Sequence, residues 1–266
     1  MIVSIHSFTH AGQRHENQDR LKILKSEDGN ECLLVVADGL GGHSGASLAA
    51  QTVADVARKL WNAKDGYESP APFLQSLIRE SHESVNAIGL ETGLNPRSTV
   101  AALFVTGSEA TSIHAGDSRV MQFSRVAPLG RTLDHSIGQI NVLRGLISED
   151  ELATHPDQKK LFSHVGGEAP PEAEIKRWRL RDGTRFVVCS DGFWEVFSPS
   201  EILEVFETRN PEHSIAMRFA GKLAKLQRHD NTTAILAEFD SGLRVIWYWV
   251  ALAALTAGGL LMALAE

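Results

Sequence analysis

Apolar residues follow two rhythms along the chain. Short β-type stretches, alternating or continuous, fall near 2–10, 19–25, 31–38, 98–106, 110–117, 119–124, 184–190 and 232–239. Over Ala46–Trp61 the spacing is helical and sets Leu48, Ala49, Val53, Val56, Ala57 and Leu60 on one face. Further helices are predicted from Pro70 to about Ile88, from Ser198-Pro-Ser-Glu201 to Glu207 with a capping-type start, and from Pro211 to Leu226. Strands come in adjacent pairs with helices grouped between them. That order predicts an α+β protein of antiparallel sheets with helices outside, not a doubly wound parallel sheet.

The last stretch breaks both rhythms. Val245 to Ala265 holds no charged residue, and Trp247-Tyr248-Trp249 sit just inside Arg244. Its length suits a bilayer core, and aromatic rings beside a positive flank suit its interface. The expectation is a C-terminal transmembrane anchor over 245–265, joined by a short linker (241–244) to a globular domain spanning 1–240. The domain would then lie on the cytoplasmic side of the inner membrane. The competing reading is a buried helix docked on the domain.

Composition narrows the class without deciding it. With 43% hydrophobic and 22% charged residues the chain can build a large core. A formal net charge of −7 and the lack of a basic run argue against nucleic acid as a partner. Cys32 and Cys189 each lie inside an apolar run and read as small core residues, not as a disulfide. The N-terminus has no secretory pattern.

The chemistry sits in five short cassettes. They present Asp19 (Arg14-His-Glu-Asn-Gln-Asp19), Asp38 (Val35-Val-Ala-Asp-Gly-Leu-Gly-Gly42), Asp117 (His114-Ala-Gly-Asp-Ser-Arg119), Asp191 (Val187-Val-Cys-Ser-Asp-Gly192) and Asp230 (His229-Asp-Asn-Thr-Thr233). Apolar β-formers run straight into Asp38 and Asp191, and glycine follows at once. Such a segment ends a buried strand on a carboxylate and turns the backbone away. Several carboxylates brought together without cysteine suit hard divalent cations such as Mg2+ or Mn2+.

In order and spacing these cassettes resemble the metal-dependent serine/threonine protein phosphatases of type 2C, in their bacterial form. The likeness covers roughly residues 4 to 240. It takes in Ser98-Thr-Val-Ala-Ala-Leu-Phe104, Leu133-Asp-His-Ser136, Leu143 to Ala153 with His155-Pro156, and His164-Val-Gly-Gly167. Arg181 to Glu195 matches a family motif almost residue for residue. The resemblance implies a four-layer sandwich: two antiparallel sheets between pairs of helices. It also implies a mobile flap over about 134–167. The expected activity is hydrolysis of phosphoserine and phosphothreonine in cytoplasmic proteins by a hydroxide bridging two Mn2+ or Mg2+ ions, with a third, weaker ion. The expected partners are a cognate serine/threonine kinase and its targets, with the membrane reached through the anchor.

Residue roles follow from the same likeness. Asp38 would bridge the ions and the Gly39 carbonyl would complete one of them. Asp191 and Asp230 would hold the other ion, Asp19 would support the pair through water, and Asp117 would help hold the third. Arg14 would clamp phosphate, because a planar guanidinium meets two phosphoryl oxygens at once. Other readings stand beside these: Arg14 paired with Glu16, Asp117 paired with Arg119 or capping a turn, and 134–167 as a solvated insertion. The alternative for the whole chain is an inactive metal-binding module that captures phosphoproteins. Gln18 departs from the glutamate of many relatives, and Leu40 stands where animal members carry a histidine and bacterial members usually an apolar residue; Arg97 and Gln227-Arg228 replace glycines, and His43 is a candidate proton donor. His10, His82, His114, His164 and His213 show no zinc-type spacing and read as surface or core histidines.

Overall fold

The computed structural model describes residues 2–40, 45–67, 69–208, 213, 215–227 and 229–240. His43 and the expected anchor at 245–265 lie outside the described residues. Among those described, no helix is long and apolar enough to cross a membrane.

Among the described residues, ten strands form two five-stranded sheets. One runs β1 (Ile2–His10), β10 (Thr232–Phe239), β9 (Thr184–Cys189), β6 (Arg119–Phe123), β7 (Pro128–Arg131). The other runs β2 (Asp19–Lys25), β3 (Glu31–Asp38), β4 (Val100–Thr106), β5 (Glu109–Ala115), β8 (Glu174–Arg179). All these neighbours pair antiparallel. Helices α1 (Ala46–Asn62) and α2 (Pro70–Thr92) precede β4, and α3 (Ile137–Leu143) and α4 (Glu149–Leu152) follow β7. The one-turn α5 (Asp191–Trp194) follows β9. Then come α6 (Pro199–Phe206), a π-helical turn at Ala216–Ala220 and α7 (Gly221–Leu223).

The period of two along each central strand produces the layers. Leu33, Val35 and Ala37 of β3 join Val53, Leu60, Leu74 and Leu77 of α1 and α2 in one cluster. The alternate residues Cys32, Leu34 and Val36 join Phe186, Val188, Ile235 and Phe239 between the two sheets. On the far side, Val187, Cys189, Ala234 and Leu236 pack with Ile202, Val205, Phe219 and Leu223. Three apolar seams therefore separate four layers. The two cysteines are buried, unpaired and in different seams.

The two strands that sequence reading missed are both edges. In β7 the run Pro-Leu-Gly-Arg is exposed or half-exposed throughout, and β8, Glu-Ile-Lys-Arg-Trp-Arg, is mostly charged. Edge strands bury little and are blunted by charge, so they carry a weak apolar signal. The expected strand 110–117 ends earlier, at Ala115, because Gly116 has a φ of 105°. A Cβ there would come within 2.7 Å of the Thr99 side chain.

Candidate active site

The carboxylates converge at one end of the sandwich and come from both sheets. Asp19 and Asp38 are direct cross-strand partners at the end of the β2–β3 ladder. Asp191 begins α5 immediately after β9, and Asp230 stands just before β10, the neighbour of β9. Asp117 occupies the turn that carries the chain from β5 in one sheet to β6 in the other. A cleft of about 800 Å³ opens here, lined by Arg14, Asp38, Gly39, Asp117, Asp191 and Asp230 among others. Asp19 is not part of its lining; it lies behind the wall, 3% exposed.

Local contacts hold each carboxylate in place. The Ser190 hydroxyl donates to Asp19 Oδ2 at 2.8 Å and accepts from the Thr233 amide at 3.0 Å. The Gly192 amide donates to Asp191 Oδ1 at 2.6 Å. A side chain at Gly192 would strike the Asn231 carbonyl, 2.2 Å from its Cβ. The Asp38 carbonyl accepts from the Thr99 amide and the Ser98 hydroxyl, which locks the end of β3 onto the start of β4. Gly39 owes its glycine to packing as well as to chemistry, since a Cβ would sit 2.3 Å from the Ala46 carbonyl in the first turn of α1. Asn231 ties down the loop that carries Arg14. It accepts from the Gln18 amide and donates to the carbonyls of Ala11 and Glu16.

The structure corrects two alternative pairings. Arg119 does not reach Asp117; it forms a two-pronged pair with Asp134, at 2.7 Å on both arms, and both side chains are buried. Its guanidinium lies 3.3 Å from the centre of the Trp194 ring. Trp194 in turn donates Nε1–H to the Asp117 carbonyl at 2.9 Å. Asp117 Oδ2 accepts from Gln158 Nε2 at 3.0 Å. Arg14 pairs with Asp230 rather than Glu16, Nε to Oδ1 at 3.0 Å and Nη2 to Oδ2 at 2.7 Å.

Segment 134–167 is not a detached insertion. The bridge Ser136↔Leu161 draws its two arms together, the His135 amide donating to the Gly116 carbonyl and the bridge Ser98↔Val165 tie its ends to the body, and the Glu149 carboxylate accepts from Arg131. From it, Lys159 reaches over the cleft to Asp191 Oδ2 at 3.8 Å and Asp230 Oδ2 at 3.5 Å. Lys159 and Gln158 escaped sequence reading. They lie in a charged, helix-poor stretch where nothing marks one polar residue from the next.

The electrostatics follow from crowding. Burial, then Asp19 and Asp191, push Asp38 well above the ordinary carboxylate range. Burial, then Asp191 and Asp134, do the same to Asp117. Asp191 is raised by burial despite Lys159, and burial lifts Asp19 and Glu195 to about 7. Burial also acts to raise Asp230, but its bonds to Arg14 and to the Asn231 amide hold it below the ordinary value. Asp19 Oδ1 and Asp117 Oδ1 are buried without a hydrogen-bond partner. Repelling carboxylates with orphaned oxygens are costly unless positive charge joins them, and oxygen donors alone suit Mg2+ or Mn2+. The residues fit divalent cations.

Known proteins share the family and the fold. The family described as Protein phosphatase 2C matches residues 8–227. The serine/threonine phosphatase stp of Listeria monocytogenes is 25% identical over 232 residues, covering 85% of this chain and 92% of that protein. The crystal structure of serine/threonine phosphatase Stp1 from Staphylococcus aureus superposes with a TM-score of 0.80 at 24% identity, over 90% of this chain and 96% of the other. The catalytic domain of serine/threonine protein phosphatase PstP, solved with two manganese ions, gives a TM-score of 0.70 at 23% identity, over 89% and 98%.

Proposed function

Because the chain belongs to the protein phosphatase 2C family, we propose that it removes phosphate from phosphoserine and phosphothreonine in proteins with the help of two Mn2+ or Mg2+ ions. The observation that carries this reading is the convergence of Asp38, Asp117, Asp191 and Asp230 from both sheets on one open cleft beside Arg14. The three relatives above are themselves named serine/threonine phosphatases, and the PstP structure was solved with two manganese ions.

Asp38, with the Gly39 carbonyl, and Asp191 with Asp230 would hold the two ions. Asp19, behind the wall, would anchor their hydration, and Asp117 would help hold a third, weaker ion. When bound, such ions supply a low-pKa water as nucleophile and neutralise charge on the phosphoryl oxygens. The chain's own work is positioning. Arg14 turns its fork from Asp230 to two phosphoryl oxygens, and the Asn231 bonds keep its loop from drifting. Lys159, 58% exposed, adds a second positive charge above the phosphate position. The open cleft admits a side chain presented on a polypeptide.

The opposing kinase and its targets are the partners we assign, on family resemblance. The apolar run Val245–Ala265 would tether the domain to the cytoplasmic face of the membrane. Two measurements test the reading. Phosphate release from a phosphothreonine peptide should require Mn2+ or Mg2+, stop with chelator and vanish in Asp191→Asn; metal-independent release would sink it. Removing residues 243–266 should move the protein from the membrane fraction to the soluble one with its activity intact. A truncated protein that fails to fold would show the tail to be core.

A further inference from the structure

Outside the lining of the carboxylate cleft, His114, His135 and Glu174 each offer one ligand atom, and the three atoms lie within 4.8 Å of one another. We propose that they form a separate metal site for a borderline transition-metal cation such as Zn2+, chemically distinct from the oxygen-donor cleft.

The tertiary fold assembles this group from three segments. His114 is on β5 and Glu174 is its register partner on edge strand β8. His135 comes from the first residues of segment 134–167, and its ring stacks on that of His114 with centroids 4.3 Å apart. His114 is 1% exposed. Its Nε2 lies 2.7 Å from the Leu133 carbonyl. A carbonyl only accepts, so Nε2 carries the proton and the lone pair sits on Nδ1. That Nδ1 is buried and has no hydrogen-bond partner.

An imidazole oriented through N–H to a backbone carbonyl, with its other nitrogen bare, is the arrangement that metal-bound histidines adopt. His135 Nδ1 takes only a long contact from the Gly116 amide, 3.4 Å, so this ring is weakly held against a metal. Burial lowers the affinity of both rings for a second proton, so neither must shed one before binding. Two imidazoles and a carboxylate are a zinc-type ligand set, and Glu174 faces solvent, through which the ion and a fourth ligand can enter. A bound ion would tie the base of segment 134–167 to the sheet.

The test is zinc binding by calorimetry, with metal analysis after dialysis, on the full chain in large excess of Mg2+ to hold the carboxylate cleft. One zinc per chain is expected, retained in Asp38→Asn. Glu174→Ala and His135→Ala should each weaken zinc binding by at least ~10-fold, because loss of even a ligand's outer partner costs that much. Glu174 is exposed, so its variant tests the site without disturbing the core. Unchanged zinc affinity in both variants would overturn the proposal, and so would a zinc that is lost with Asp38→Asn.

Discussion

Arg14 and Asp230 face each other through two parallel hydrogen bonds, Nε to Oδ1 and Nη2 to Oδ2. The residue expected to clamp phosphate therefore rests on a residue expected to hold metal. Cation at Asp230 and phosphate at Arg14 would each release the other's partner. Arg14→Ala should lower kcat/KM on a phosphopeptide by roughly 10- to 100-fold, mainly through KM, as for loss of charge-assisted hydrogen bonds. Arg14→Lys should recover only part, since an ammonium has no fork. Thermal stability should hardly move, because Arg14 is 56% exposed. An unchanged KM in Arg14→Ala would remove it from the phosphate site.

The crowded carboxylates predict how stability depends on pH. Burial raises Asp19 from 3.8 to about 7, and Asp38 and Asp117 rise well above their ordinary value. A carboxyl whose pKa is raised by folding stabilises the fold most when protonated, below the unfolded value. That contribution is lost as pH climbs through the folded value. Asp230, held low, works the other way, and so do His114, His135 and His164, whose burial-depressed values add stability as pH rises to the ordinary imidazole value of 6.5. Above that value the histidines are largely neutral in both states and the raised carboxyls still titrate, so metal-free protein should lose melting temperature between about pH 6.5 and about 7.5. Mn2+ should restore most at the upper end. A metal-free melting temperature that is flat or rising across this range would contradict the placement of these groups.

Lys159 shares Asp191 and Asp230 with the expected cation. Against burial, which lowers it, Asp191, Glu195 and Asp230 raise its pKa, so it stays charged. Lys159→Ala should tighten Mn2+ binding by up to ~5-fold, the scale of a partly exposed ion pair. It should also raise KM for the phosphopeptide. Calorimetry with Mn2+ decides the first; weaker binding in the variant would show that Lys159 does not compete.

The buried Arg119–Asp134 pair supports the site at one remove, through Trp194 and the Asp117 carbonyl. Asp134→Asn leaves a buried guanidinium without its counter-charge and should cost about 3–5 kcal/mol in urea unfolding. An apolar double replacement, Arg119→Met with Asp134→Leu, should regain much of it. A loss below about 1 kcal/mol in the single variant would show that water reaches the pair.

The local sequence determined most of the layers and the ligand inventory. Strands β3, β4, β9 and β10 are buried on both faces, so their apolar runs are unbroken and legible. The Asp-Gly cassettes were legible because their glycines face backbone at 2.2–2.3 Å, which excludes any side chain. What stayed hidden depends on long-range contact. Edge strands β7 and β8 bury too little to leave a pattern. Asp230 lies 216 residues from Arg14 and Asp134 lies 15 from Arg119, and ion pairs leave no periodicity. His114, His135 and Glu174 have no ligand spacing in sequence because strand register and a stacked loop bring them together. Period and glycine are local and can be read from residues in order; charge pairing and donor geometry belong to the folded chain.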